Sequence, residues 1–288
     1  MKNTIVMGFD ENYAPAAVVA LFSLFCNTTR RDFDVCIFVD NVSSASITYF
    51  DELSKIFNRS IRLVDMKASQ FEGLNVNTQI TRAAYSRLIA PNEIKTDRMI
   101  WLDCDLIVHD DIGFLLDFEI PKFAIAAGVR DMPVEKGRKN ALNLPETDIY
   151  INSGVMIIDA AKWRKENLSE KAIETWKIES ERFIYWDQCL INKVIESRKA
   201  EIPEKWNKMY HSYSLNRMSG ITPIDPNFKG IVHYTTPTKP WHIWSDRKYA
   251  RLYKNYASIA PTRMKISVTP NTDRDRQDFI NRLTHSDY

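Results

Sequence analysis

With 288 residues, 44% hydrophobic and 26% charged, the chain has ordinary globular composition and can bury a real core, as one large α/β domain or two small ones. Its net charge of +2 gives no sign of a nucleic-acid partner, and 8 glycines argue against both a Gly-rich phosphate loop and a low-complexity chain. The cysteines Cys26, Cys36, Cys104 and Cys189 have neither CxxC pairing nor a neighbouring His at metal spacing, and read as reduced, buried thiols of a cytosolic protein.

The first apolar run, TIVMGFD, predicts a strand stopped by polar residues. It leads into APAAVVALFSLFC (Ala14 to Cys26), too short to cross a bilayer and the length of a core helix. Asp10 and Glu11 precede it where a signal peptide needs basic residues, so the chain is expected to be neither secreted nor membrane-spanning. FDVCIFVD predicts a second strand, SASITYFDELSKIF an amphipathic helix, SIRLVDM a third strand and TRAAYSRLIAPNEI another helix. RMIWLDCDLIV, Arg98 to Val108, predicts one further strand. KFAIAAGVRD and YINSGVMIID predict two more, AKWRKENLSEKAIETWKIES one long helix, WDQCLINKVIES another and GIVHYTT a late strand. Such alternation implies a mostly parallel sheet covered by helices on both faces. No internal repeat or clean linker breaks it, so residues 1–240 are expected as one domain and 241–288 as a distinct tail.

Several strands end in acid: Asp10, Asp40, Asp65 and Asp103. Ligands of open α/β sheets bind outside the carboxyl ends of strands. Asp40 and Asp65 read as helix N-caps. Asp103 and Asp105 are different, because residues two apart on a strand share a face, and two buried carboxylates repel. A divalent cation resolves the repulsion, since hard Mg²⁺ or Mn²⁺ takes carboxylate oxygens and shares them with phosphate. Cys104, between them, is expected to point into the core.

Downstream stand YINSGVMIIDAAKWR (Tyr150 to Arg164), WDQCLIN (Trp186 to Asn192) and HYTTPTKPWH (His233 to His242). With DCD, and in this order from FDENY onward, they closely resemble family 8 of the retaining glycosyltransferases. The resemblance implies a GT-A fold (a Rossmann-like mixed, mostly parallel sheet flanked by helices), a UDP-sugar donor and Mn²⁺, with Mg²⁺ as the alternative. It implies Asp103, Asp105 and His233 as metal ligands, and an imidazole among carboxylates does shift preference toward Mn²⁺. Lys239 matches the lysine on the donor diphosphate, and Asp10, Asn12 and Tyr13 match the uridine-binding segment. Arg87 and the DCD segment, Cys104 included, match positions at the donor. Asp131, Asn152, Asp187 and Gln188 match the sugar pocket, where paired donors and acceptors select among epimers.

The implied reaction moves a hexose, galactose or glucose, from UDP to an acceptor hydroxyl with retained configuration. Gln188 is the residue the resemblance places on the far face of the sugar. An amide is a poor nucleophile, which favours same-face attack over a double displacement; a nucleophilic Asp187 is the alternative. Other readings fit less well. An aspartate-nucleophile phosphatase carries its D-x-D on the first strand with Thr or Val where Ile107 stands, and a nucleotidylyltransferase needs a Gly-rich N-terminal loop. A non-catalytic sugar-nucleotide-binding protein is disfavoured by the intact DCD, His233 and Lys239.

From Trp241 to Lys265 the chain holds six cations (Arg247, Lys248, Arg251, Lys254, Arg263, Lys265) against Asp246, a charge of +5. Tyr249, Leu252, Tyr253 and Tyr256 share one helical face. Either that face packs on the domain, or the segment docks on an anionic membrane surface, which would suit a lipid-linked or lipopolysaccharide glycan acceptor and a cytoplasmic protein peripheral to the inner face of the membrane.

Overall fold

The computed structural model describes residues 3–71, 74, 82–210, 225, 227–235, 237–243, 245 and 247–262. The chain begins β1 (Asn3–Asp10), α1 (Ala14–Asn27), β2 (Phe33–Asp40), α2 (Ser44–Phe57), β3 (Ile61–Asp65) and α3 (Arg82–Glu93). It continues β4 (Arg98–Leu102), β5 (Leu106–Val108), α4 (Gly113–Asp117), β6 (Ala126–Arg130), α5 (Met132–Ala141) and β7 (Ile151–Asp159). Then come α6 (Ala160–Lys165), α7 (Leu168–Glu179), α8 (Trp186–Val194), β8 (Lys199–Glu201), β9 (Lys208–Met209), β10 (Ile231–His233) and α9 (Arg247–Ala257).

The main sheet has the order β3-β2-β1-β4-β7-β6-β8. β1 pairs parallel with β2 and β4, β2 with β3, and β6 with β8, while β7 runs antiparallel between β4 and β6. A smaller sheet, β5-β10-β9, lies beyond the end of β4. The central strands are buried on both faces, which is why they read as unbroken apolar runs. On β1, Ile5, Met7 and Phe9 join the core under α1 and α2, whereas Val6 joins the opposite core under α3, α7 and α8.

Three local readings change. RMIWLDCDLIV is not one strand: β4 stops at Leu102 and β5, in the other sheet, starts at Leu106. AKWRKENLSEKAIETWKIES is two helices, broken where Asn167 takes a left-handed conformation, φ 53°. Asparagine tolerates that region, and the turn it makes re-aims α7. Asp40 caps nothing. The cap of α2 is Ser43, whose side chain accepts the Ser46 N–H, and Asp40 instead pairs with Arg82.

The packed core reaches past residue 240. Helix α9 lies on α1 and β5, with Tyr253 fully buried and Leu252 and Tyr256 half-buried against the same core. The Tyr256 hydroxyl meets Asn27 Nδ2 and His109 Nδ1, each at 2.7 Å. Leu252, Tyr253 and Tyr256 therefore pack on the domain. The Tyr249 side chain, Arg263, Lys265 and the rest of the chain to residue 288 lie outside the described residues. Among the described residues, no helix is long and apolar enough to cross a membrane.

Candidate active site

Asp103, Cys104 and Asp105 carry the chain from the main sheet into the smaller one. Asp103 N–H still donates to Gly154 O of β7 at 2.8 Å, while Asp105 O already accepts Tyr234 N–H at 2.9 Å. Backbone bonds to two sheets thus hold both carboxylates. The Cys104 thiol turns into the core onto Gly8 O at 3.3 Å, so its side chain is closed to any ligand, and burial pushes its pKa well up. From the end of β10, His233 brings Nε2 to 3.2 Å from Asp105 Oδ1 and 3.8 Å from Asp103 Oδ2. One ligand atom from each of the three residues lies within 4.8 Å of the others. Gly154 makes room for this approach. A Cβ there would sit 2.1 Å from His233 Cε1 and 2.9 Å from Asp103 Oδ2.

Two cations flank the carboxylates. Lys239 Nζ lies 2.6 Å from Asp105 Oδ2 and donates to Tyr234 O at 2.8 Å. Burial opposes the charged form of Asp105, but Lys239 and His233 override it and hold its carboxyl well below the usual range. Arg87 is buried over the Trp101 ring, 4.9 Å from its centroid, and bridges Asp103 Oδ1 at 2.7 Å and Asp187 Oδ2 at 3.1 Å. Trp101 Nε1–H also donates to Asp103 Oδ1, at 2.8 Å. Asp187 is pushed up to about 6, because burial and the charge of Asp103 outweigh Arg87.

Beside this corner a cleft of about 170 Å³ is lined by Arg87, Asp103, Asp105, Asn152, Asp187 and Gln188, among others. Its amides form a closed network. Asn152 Nδ2 donates to Gln188 Oε1 at 2.9 Å and Asp131 Oδ2 at 3.3 Å, and Gln188 Nε2 donates to Asp131 Oδ2 at 3.1 Å. Asp131 Oδ1, also buried, has no hydrogen-bond partner among the described residues. A buried carboxylate oxygen without a donor is costly.

A second hollow, about 490 Å³, opens at the carboxyl ends of β1 and β2 and is lined by Asp10, Asn12, Asp40 and Arg82, among others. Asp10 Oδ1 accepts the Asn12 and Tyr13 N–H groups at 3.0 and 3.2 Å, which shapes the turn into α1. Tyr13 stands edge-on to Trp241, ring centroids 5.7 Å apart.

The predicted residues thus fall into two neighbouring places. Asp103, Asp105, His233, Arg87, Asn152, Asp187 and Gln188 line the cleft, with Lys239 and Asp131 bonded to its walls. Asp10 and Asn12 line the hollow, whereas Tyr13 packs on Trp241 and is not part of the hollow's lining. Sequence reasoning missed Arg82, Ser153, Trp101 and Asn207. Asn207 bonds to both His233 and Asn152. No local motif flags it, because Asn152 is 55 residues away along the chain.

The fold is that of the GT-A glycosyltransferases. Among solved structures, the galactosyltransferase LgtC in complex with donor and acceptor sugar analogues matches with TM-score 0.76 and 21% identity, over 96% of this chain and 100% of that one. More narrowly, the chain belongs to Glycosyl transferase family 8, whose family model matches residues 4–245. It is 29% identical over 269 residues to General stress protein A of Bacillus subtilis, covering 88% of this chain and 92% of that protein. It is 28% identical over 268 residues to a lipopolysaccharide 1,3-galactosyltransferase of Salmonella typhimurium, covering 90% and 79%.

Proposed function

We propose that this glycosyltransferase moves a hexose from a UDP-sugar to an acceptor hydroxyl with retained configuration, and that Asp103, Asp105 and His233 hold a divalent cation, Mn²⁺ in preference to Mg²⁺. The observation that carries the reading is the convergence of those three ligands, within 4.8 Å, on a cleft also lined by Arg87, Asn152, Asp187 and Gln188. Two carboxylates and an imidazole suit such an ion, and Gly154 leaves space for His233 and Asp103 to approach each other. A bound cation would neutralise charge on the departing diphosphate.

The chain's own groups do the rest. Lys239, a buried cation held beside Asp105, faces the diphosphate and stabilises it as it leaves. Asp10, Asn12 and Tyr13 take the uridine at the neighbouring hollow. Asp131, Asn152 and Asp187 orient the sugar through its hydroxyls. Gln188 does not act as a nucleophile: its Oε1 accepts from Asn152 Nδ2 and Ser153 N–H, and its Nε2 donates to Asp131, so its lone pairs are engaged. With Gln188 so engaged, we favour attack by the acceptor from the face the UDP leaves, its proton passing to the leaving phosphate oxygen, over a nucleophilic Asp187, whose carboxylate is paired with Arg87. The named lipopolysaccharide galactosyl- and glucosyltransferase relatives support a glycan acceptor of lipopolysaccharide type.

The test is UDP release across a panel of UDP-sugars with Mn²⁺, Mg²⁺ or EDTA. Turnover is expected with Mn²⁺, to fall in EDTA, and to fall similarly for Asp105→Asn, which removes one charge at nearly constant size. Full turnover in EDTA, or an undiminished Asp105→Asn, would refute the metal assignment.

A further inference from the structure

Asn207 ends a short 3-10 helix, Glu204–Asn207, just before β9, and is completely buried. Buried asparagines usually satisfy backbone. Asn192, equally buried, does so, holding Ile151 N–H, Ile151 O and Gln188 O with its side chain. Asn207 differs, because both of its side-chain hydrogen bonds among the described residues go to site side chains. Its Oδ1 lies 2.8 Å from His233 Nδ1, and its Nδ2 donates to Asn152 Oδ1 at 2.8 Å.

The polarity of this chain can be read from its fixed end. Gly154 N–H is a donor by necessity, and it points at Asn152 Oδ1 at 2.9 Å. The other end of the Asn152 amide faces the Asp131 carboxylate, an acceptor, so Asn152 cannot be turned around. Asn207 must then offer its N–H₂ to Asn152, which leaves its oxygen toward the imidazole. The ring must answer with Nδ1–H. Nε2 is then the nitrogen turned to Asp103 and Asp105, the one that a cation would take in place of a proton.

We propose that Asn207 is a positioning residue: it locks the His233 ring with Nε2 presented to the metal corner, and ties that ring through Asn152 to the donor-sugar pocket. The metal half rests on the cation site proposed above; the orientation of the ring does not. Groups that fix a ligating histidine from behind typically contribute 10–100-fold to metal affinity. Here the same amide also orients Asn152, so its loss is felt at both places.

Two variants separate these roles. Asn207→Ala removes acceptor and donor together. Asn207→Asp keeps an acceptor for Nδ1–H but cannot donate to Asn152. The measurements are ¹⁵N NMR of the histidines in metal-free protein for the tautomer, Mn²⁺ affinity by electron paramagnetic resonance, and kcat against KM for UDP-sugar turnover. Wild type is expected to show the Nδ1–H tautomer at His233. Asn207→Ala is expected to lose that bias and bind Mn²⁺ about 10–100-fold more weakly. Asn207→Asp is expected to keep the tautomer and most of the Mn²⁺ affinity while kcat falls. If the alanine variant fails to fold, the aspartate variant carries the test, because a merely structural Asn207 predicts no split between Mn²⁺ affinity and kcat. An alanine variant with the wild-type tautomer and Mn²⁺ affinity, or an aspartate variant with undiminished kcat, would overturn the proposal. Wild type that shows the Nδ1–H tautomer but takes up no Mn²⁺ would refute the metal reading and leave the ring's positioning standing.

Discussion

At Gly154 the site has no space for a methyl group. A Cβ would fall 2.1 Å from His233 Cε1, and the flexible end of a long side chain is not there to give way. Gly154→Ala is therefore expected to displace His233 and lower UDP-sugar turnover by about 10²-fold, the scale of an ångström-sized misplacement. A folded variant with wild-type turnover would show that the ring need not sit where it does. Asp187 gives a pH test. Its carboxyl is raised from 3.8 to about 6, so ionising it costs stability that the fold has below about pH 4 and loses as pH rises through about 6. The cost is on the order of 3 kcal/mol at most, with the Arg87 pair already counted in that shift. Asp187→Asn should then gain thermal stability relative to wild type at pH 8 but not at pH 4, while losing transfer activity. Equal differences at both pH values would sink the argument. The carboxylates, His233 and Lys239 were legible in the sequence because each sits in a compact motif. Asn207 was not, since its two partners come from other elements and only folding brings them to it.

Elements were legible wherever burial imposes one pattern over the whole segment. β1, β2, β4 and β7 are covered on both faces, so their apolar runs mark them without help from tertiary context. The break between β4 and β5 left no such trace. Residues on both sides of DCD are equally buried, and a strand that changes sheets keeps the same composition. The break at Asn167 was readable only as a weak helix position, because left-handed geometry at one asparagine is a choice made by packing. Helix α9 was ambiguous for the opposite reason: a tyrosine stripe fits a protein core or a membrane equally well. Packing decides it. Tyr253 lies against Tyr234 and Trp241, with ring centroids at 5.8 and 5.3 Å. Tyr253→Ala is expected to cost about 3–5 kcal/mol, as for other large aromatic truncations. Tyr253→Phe should be neutral or stabilising by about 1 kcal/mol, since the buried hydroxyl has no partner among the described residues. Chemical denaturation of both variants checks this, and a harmless alanine would mean that α9 is not part of the core.

For the whole molecule, the packing of α9 changes how a membrane could be met. With Tyr253 buried and Tyr256 held by Asn27 and His109, neither of these two tyrosines can serve as an interfacial wedge. What the helix turns outward is charge: Lys248, Arg251 and Lys254 are exposed. Two apolar side chains lie close by in sequence, Ile243 at 49% and Ile259 at 67% exposure. A surface of this kind would dock by attraction to anionic headgroups, with shallow apolar contact as the lesser part. Each cation near such a surface contributes about 1 kcal/mol, so replacing Lys248, Arg251 and Lys254 together by Gln should weaken binding to anionic vesicles by about 100-fold. The effect should shrink as salt shortens the screening length below about 8 Å. Because these residues lie outside the cleft, UDP release with a soluble acceptor should be unchanged in the same variant. Vesicle co-sedimentation with anionic and with zwitterionic lipid makes the comparison. Wild type that binds both lipids alike, or a triple variant that binds anionic vesicles as wild type does, would remove α9 as the docking surface.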